Sequence, residues 1–213
     1  MRKLTVFYNP TSGNGKGEVD AHRLDNIHPD CEINYINKTI DRFIQIKNNN
    51  EKIDILNKAI IQYLVKISTE DISMEDETLI SKYHHTLTDL IREAEIADNV
   101  VKYIKKVNAF DITFSDSVYD SIRDLLAKLN EQYENVNKIL LDNDLSSANR
   151  VAELEDEIDA LRSQLIDDHI KRLEEGKCKP QSSGVFINFI SNLERAGDHL
   201  EVISQTLTTS KGN

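Results

Sequence analysis

Apolar residues recur at three- and four-residue intervals through almost all of residues 51–207, and that spacing constrains the chain to helices packed side by side. Ile53, Leu56, Ile60, Leu64 and Ile67 form a first stripe. A second runs along a helix expected at about 75–106, through Leu79, Tyr83, Leu87, Leu90, Ala94, Ala97, Val101 and Ile104. Ser73 followed three residues later by Asp76 supplies its capping box. A helix at 116–141 carries Val118, Ile122, Leu125, Leu129, Tyr133, Val136 and Leu140. Val151, Leu154, Ile158, Leu161 and Leu165 continue the spacing to about Glu175. Phe186, Ile190, Leu193, Leu200 and Leu207 line a last helix at about 185–208. Breaks fall at 108–113, 142–147 and 177–184, the last containing Pro180. With only 7 Gly, 3 Pro and no Trp in 213 residues, the reading is all-α.

Residues 1–50 read differently, as a weakly ordered leader. Leu4 to Tyr8 has the alternation of a short strand, and Asn9 to Gly17 follows as a Gly-rich loop. That opening resembles the first strand and Asn-Pro-x-Ser-Gly loop of diacylglycerol-kinase-like lipid and sphingoid kinases. It is not a Walker loop, because Pro10 stands where Gly is required and Gly17 replaces the Ser or Thr. No β/α pattern follows to complete a kinase, so a kinase ranks last among the functions considered. Pro29 interrupts any helix there, and Ile33, Ile36, Ile40 and Phe43 keep a 3,4 spacing until Asn48 to Asn50 dilutes it.

The chemistry concentrates in Asn192 to Glu201. Glu194 and Asp198 are four apart and stack on one helix face, where two like charges repel by a few tenths of a kcal/mol unless a cation bridges them. Glu201 returns to nearly the same side. Gly197 costs about 1 kcal/mol of helix propensity relative to Ala, a loss that close approach of a neighbouring helix would offset. A solvated acidic face is the plain alternative.

Leu193-Glu-Arg-Ala-Gly-Asp-His199 resembles the signature helix of the PhoU family, and residues 50–207 as a whole resemble the PhoU-like cytoplasmic domain of bacterial sodium/phosphate cotransporters. The resemblance implies a helical bundle of two similar three-helix halves, here 51–108 and 114–208, the first compressed and incomplete. It also implies acidic motifs that bind iron or zinc in some members. A weak internal repeat agrees with it. Lys52–Asn57 lies over Glu157–Arg162, and Asp89–Asp98 over Phe189–Asp198 without a gap. Asp98 thereby pairs with Asp198, Ala97 with Gly197 and Ala94 with Glu194. Ala94 leaves the first motif without its usual carboxylate unless Glu95 serves. Asp54 and Asp159 are the counterparts on the facing helices. The candidate metal ligands are therefore Glu194, Asp198, Asp98, Glu95, Asp54 and Asp159. Their oxygens suit magnesium, manganese or iron better than zinc. His199 points roughly 100° away from Asp198 around the helix and is not expected to share an ion with it.

A formal net charge of −11 without a basic stripe excludes a duplex nucleic-acid partner. Cys31 and Cys178 lack CxxC spacing and read as reduced thiols of a cytoplasmic chain. No apolar run approaches a membrane span, so transport itself would belong to another chain. The resemblance implies a non-enzymatic regulatory domain of phosphate uptake at the inner face of the membrane, docked on a transporter or its membrane domain, with a homodimer left open. The alternative is a helical protein–protein adaptor that binds no metal, its 151–165 stripe serving as a coiled-coil contact.

Overall fold

The computed structural model describes residues 2–7, 31–36, 38–110, 112–178 and 180–209. Arg2–Phe7 (β1) and Cys31–Ile36 (β2) pair in parallel, Arg2 opposite Cys31 and Phe7 opposite Ile36. The strand expected near Leu4 is thus β1, while the Gly-rich segment 9–17 lies outside the described residues. Five long helices follow: α1 (Lys38–Ile67), α2 (Met74–Ala109), α3 (Asp116–Asp142), α4 (Ala148–Glu174) and α5 (Pro180–Thr208). The architecture is the expected helical bundle.

Local chemistry sets the ends. The Ser73 hydroxyl accepts from the Asp76 amide, and the Asp76 carboxylate accepts from the Ser73 amide, so the capping box opens α2 as anticipated. After α3, Asn143 adopts φ 56°, a left-handed conformation that Asn tolerates, and its amide returns to the Lys138 carbonyl. Pro180 stands at the first position of α5, where its missing N–H costs nothing, so the last helix begins ahead of the expected 185. At the other end of the chain, α1 starts at Lys38 and runs through Asn48–Asn50. Asn50 donates to the Ala94 carbonyl across the helix pair at 2.9 Å, an anchor that propensity does not reveal.

The core lies between α3, α4 and α5. Leu125, Val151, Leu154, Ile190 and Ile203 are wholly enclosed, each such side chain contributing about 1.5–3 kcal/mol through burial. The stripe expected on α3 is buried at Val118, Leu125, Leu129 and Val136 but shifts by one residue at two places: Gln132 and Ile139 are buried, whereas Tyr133 and Leu140 are exposed. On the rim, Arg150 pairs with Glu131 (2.7 Å) and Glu157 (2.9 Å), and Lys128 with Glu157 (2.6 Å). The Arg150–Glu131 and Lys128–Glu157 pairs join α3 to α4, Arg150–Glu157 lies within α4, and each contributes at most about 1 kcal/mol.

The two halves are unequal. α3, α4 and α5 pack on one another, while α1 packs chiefly on α2, which in turn lies along α5. Contacts from Lys82 to the Leu207 carbonyl (3.3 Å), Asp89 to His199 (2.9 Å) and Asn99 to Asn192 (3.3 Å) run in opposite sequence directions, so α2 and α5 are antiparallel. Among the described residues the first half has two helices where the second has three.

Candidate functional site

Along the α4–α5 seam a set of carboxylates converges. Glu194 is half-buried and feels Asp198 and Asp159; burial, then Asp198, raises its pKa, against the attraction of Arg162. Glu155, one turn before Asp159, is pushed up to about 7 by burial and by Glu201, Asp198 and Asp159. Both directions say that negative charge here is crowded and incompletely solvated. Arg162, whose Nε is buried without a hydrogen-bond partner among the described residues, and Arg195 are the cations that act on Glu194.

The sequence-derived ligand set is therefore split. The structure brings Glu194, Asp198 and Asp159 together and adds Glu155 and Glu201 to them. Glu155 lies outside the ligand set expected from the sequence, although its i,i+4 relation to Asp159 repeats that of Glu194 to Asp198. Asp98 is half-buried on α2, and Asp54 is exposed on α1. Glu95 is exposed and paired with Arg92 at 2.6 Å. Among the described residues no group of three or more His, Cys, Asp or Glu side chains stands in an arrangement that would hold a metal ion as it is. The donor chemistry on α4 and α5 suits a hard cation; the side chains would have to close on it.

Gly197 explains how the seam forms. A Cβ there would lie 3.3 Å from Gln132 Oε1, close enough that Gln132 would have to give by a few tenths of an ångström, and at ordinary contact, 3.4 Å, from Ile158 Cδ1, so Gly lets α3 and α4 approach α5 closely. Gln132, fully enclosed, donates Nε2 to the Val151 carbonyl at 3.3 Å and the Gly197 carbonyl at 3.2 Å, joining three helices. His199 faces away from the acidic seam, as its position on the helix required, and its Nδ1 meets Asp89 Oδ1 of α2 at 2.9 Å.

A Ser/His contact stands among the described residues, His169 Nε2 to Ser183 Oγ at 2.8 Å. It is structural: His169 is buried, lies 4.6 Å from the Phe186 ring, and has its pKa lowered by burial and by Arg172. Among the described residues no carboxylate bonds that ring, so nothing orients it as a base.

No helix among the described residues is long and apolar enough to cross a membrane. Residues 122–207 match the PhoU domain family model. The crystal structure of PhoU from Pseudomonas aeruginosa superposes with a TM-score of 0.71 at 18% identity, over 78% of each chain. No curated protein sequence matches the chain. Residues 122–207 are thus similar to the PhoU domain, and the chain shares its helical fold with PhoU.

Proposed function

We propose that this chain is a non-enzymatic regulatory or accessory module of phosphate uptake, acting at the cytoplasmic face with a membrane phosphate transporter. The observation that carries the reading is the similarity of residues 122–207 to the PhoU domain, within a bundle with the fold of PhoU. Association with sodium/phosphate cotransport is the finer form, drawn from the resemblance of residues 50–207. The test is phosphate uptake in the host after disruption of the gene, under replete and limiting phosphate. Uptake unchanged in both conditions would end the proposal.

The acidic seam is proposed to hold one hard divalent or ferric cation through Glu194 and Asp198 from α5 with Asp159 and Glu155 from α4. Bound there, the cation would supply positive charge and draw α4 and α5 together; the chain's own contribution is the set of crowded carboxylates. Elemental mass spectrometry of tag-free protein, beside the Glu194→Ala/Asp198→Ala variant, tests it. Stoichiometric metal lost in the variant is expected, and its absence from both folded proteins overturns it. The second reading is a helical adaptor without metal, which the same measurement separates from the first.

A further inference from the structure

We infer that the groove between α1 and α2 is the seat of an amphipathic helix from a partner protein, one whose apolar stripe carries a hydrogen-bond-donating side chain such as Lys or Arg. The argument comes from the internal repeat. Its first register sets Asp54 over Asp159, and its second sets Asp98 over Asp198. In the second half, Val151, Leu154, Ile158 and Leu165 of α4 and Ile190, Leu193 and Gly197 of α5 are among the buried positions, in and around the two registers of the repeat, and α3 belongs to the same core. Carried through the two registers, those positions become Ile46, Asn49, Ile53 and Ile60 of α1 and Leu90, Glu93 and Ala97 of α2. All seven line the cavity found between α1 and α2, of about 450 Å³. The groove is thus the counterpart of the seat that α3 fills. Its walls show the difference: Ile60 and Leu90 are 40% and 38% exposed, whereas Leu165 and Ile190 are 4% and 0%.

The chemistry of the occupant follows from where the two seats differ. Glu93 stands in place of Leu193, Asn49 in place of Leu154, and Asn57, also on the wall, in place of Arg162. Glu93 Oε1 and Asn57 Oδ1 are both buried acceptors with no hydrogen-bond partner among the described residues. Two orphaned acceptors in one largely apolar groove ask for a donor. α3 offers the precedent, since Gln132 on its buried face donates to the carbonyls of both helices of its own seat. A second copy of this chain fits less well, because its counterpart face is a like groove and not a helix that could enter one. The inference does not rest on the phosphate-uptake reading and can fail without it.

The test uses the full chain and fluorescein-labelled peptides of the α3 sequence, residues 116–142, as probes. One is unmodified, and two carry Leu125→Lys or Leu129→Lys. At least one lysine peptide is expected to bind tenfold or more tightly than the unmodified one, with that preference lost on Glu93→Leu. Binding is also expected to fall tenfold or more on Ala97→Phe, which fills the groove, and on Leu90→Glu, both checked for native helicity by circular dichroism. Failure of every peptide to bind, or binding indifferent to all three groove variants, overturns the proposal. Concentration-dependent dimerisation abolished by Ala97→Phe overturns it in favour of a second copy.

Discussion

Gln132 donates Nε2 to the Gly197 carbonyl at 3.2 Å, while its Oε1 occupies the space that a Gly197 side chain would enter at 3.3 Å. The same side chain therefore bonds the helix and crowds the place of a methyl group. Gly197→Ala would gain about 1 kcal/mol of helix propensity. Against this, Gln132 is held by two carbonyls and cannot turn aside, and overpacking a core costs about 1–3 kcal/mol. The expected net result is a loss of about 1 kcal/mol in urea denaturation. Gln132→Ala should remove most of the penalty in a double-mutant cycle; additivity of the two changes would show that the contact is not the cause.

That relationship marks the limit of what the sequence discloses. The 3,4 spacing located α2 to α5, the Ser73 cap is a local signal, and the cost of a helical Gly hinted at close approach at 197. On α3, however, Leu125, Leu129 and Val136 are shared by two stripes one residue apart. Burial of Tyr133 and Leu140 is one solution, and burial of Gln132 and Ile139 is the other. Apolarity favours the first, yet the structure takes the second because Gln132 finds two backbone acceptors on α4 and α5. Such a tertiary gain has no local trace. The acidic seam divides in the same way: the Glu194–Asp198 spacing is visible within one helix, but the approach of Glu155 depends on how α4 lies along α5.

Asp89 and His199 tie the first half to the second at 2.9 Å, with both side chains largely buried. Replacing either by Ala leaves a shielded polar partner, an expected cost of about 1–3 kcal/mol. The double variant should lose less than the sum of the singles by about 0.5–2 kcal/mol. A coupling near zero would mean that α2 and α5 are held by packing alone.

Neutralising the acidic seam should stabilise the metal-free protein. The Glu155 carboxyl, raised to about 7 by burial and by Glu201, Asp198 and Asp159, is protonated in the fold at pH values where the unfolded chain is ionised. The wild type therefore loses stability from this position as pH rises through about 7. Glu155→Gln is expected to melt higher than wild type at pH 8 and about equally at pH 4. A variant no more stable at pH 8 would show the seam to be well solvated.

Glu93 gives the larger pH effect. Burial first, and Asp89 one turn away second, push its carboxyl from 4.5 to about 8. The folded state keeps a proton that the unfolded chain releases, so the contribution is complete below about 4.5 and disappears as pH rises through about 8. Glu93→Gln cannot lose it. The variant should gain on wild type between pH 5 and pH 8.5 by an amount on the order of 2–4 kcal/mol, following the free energy of a shift of this size. Denaturation at the two pH values with and without the substitution measures it directly. Parallel stability profiles for the two proteins would mean that Glu93 is ionised in the fold, with water or a cation reaching it between α1 and α2.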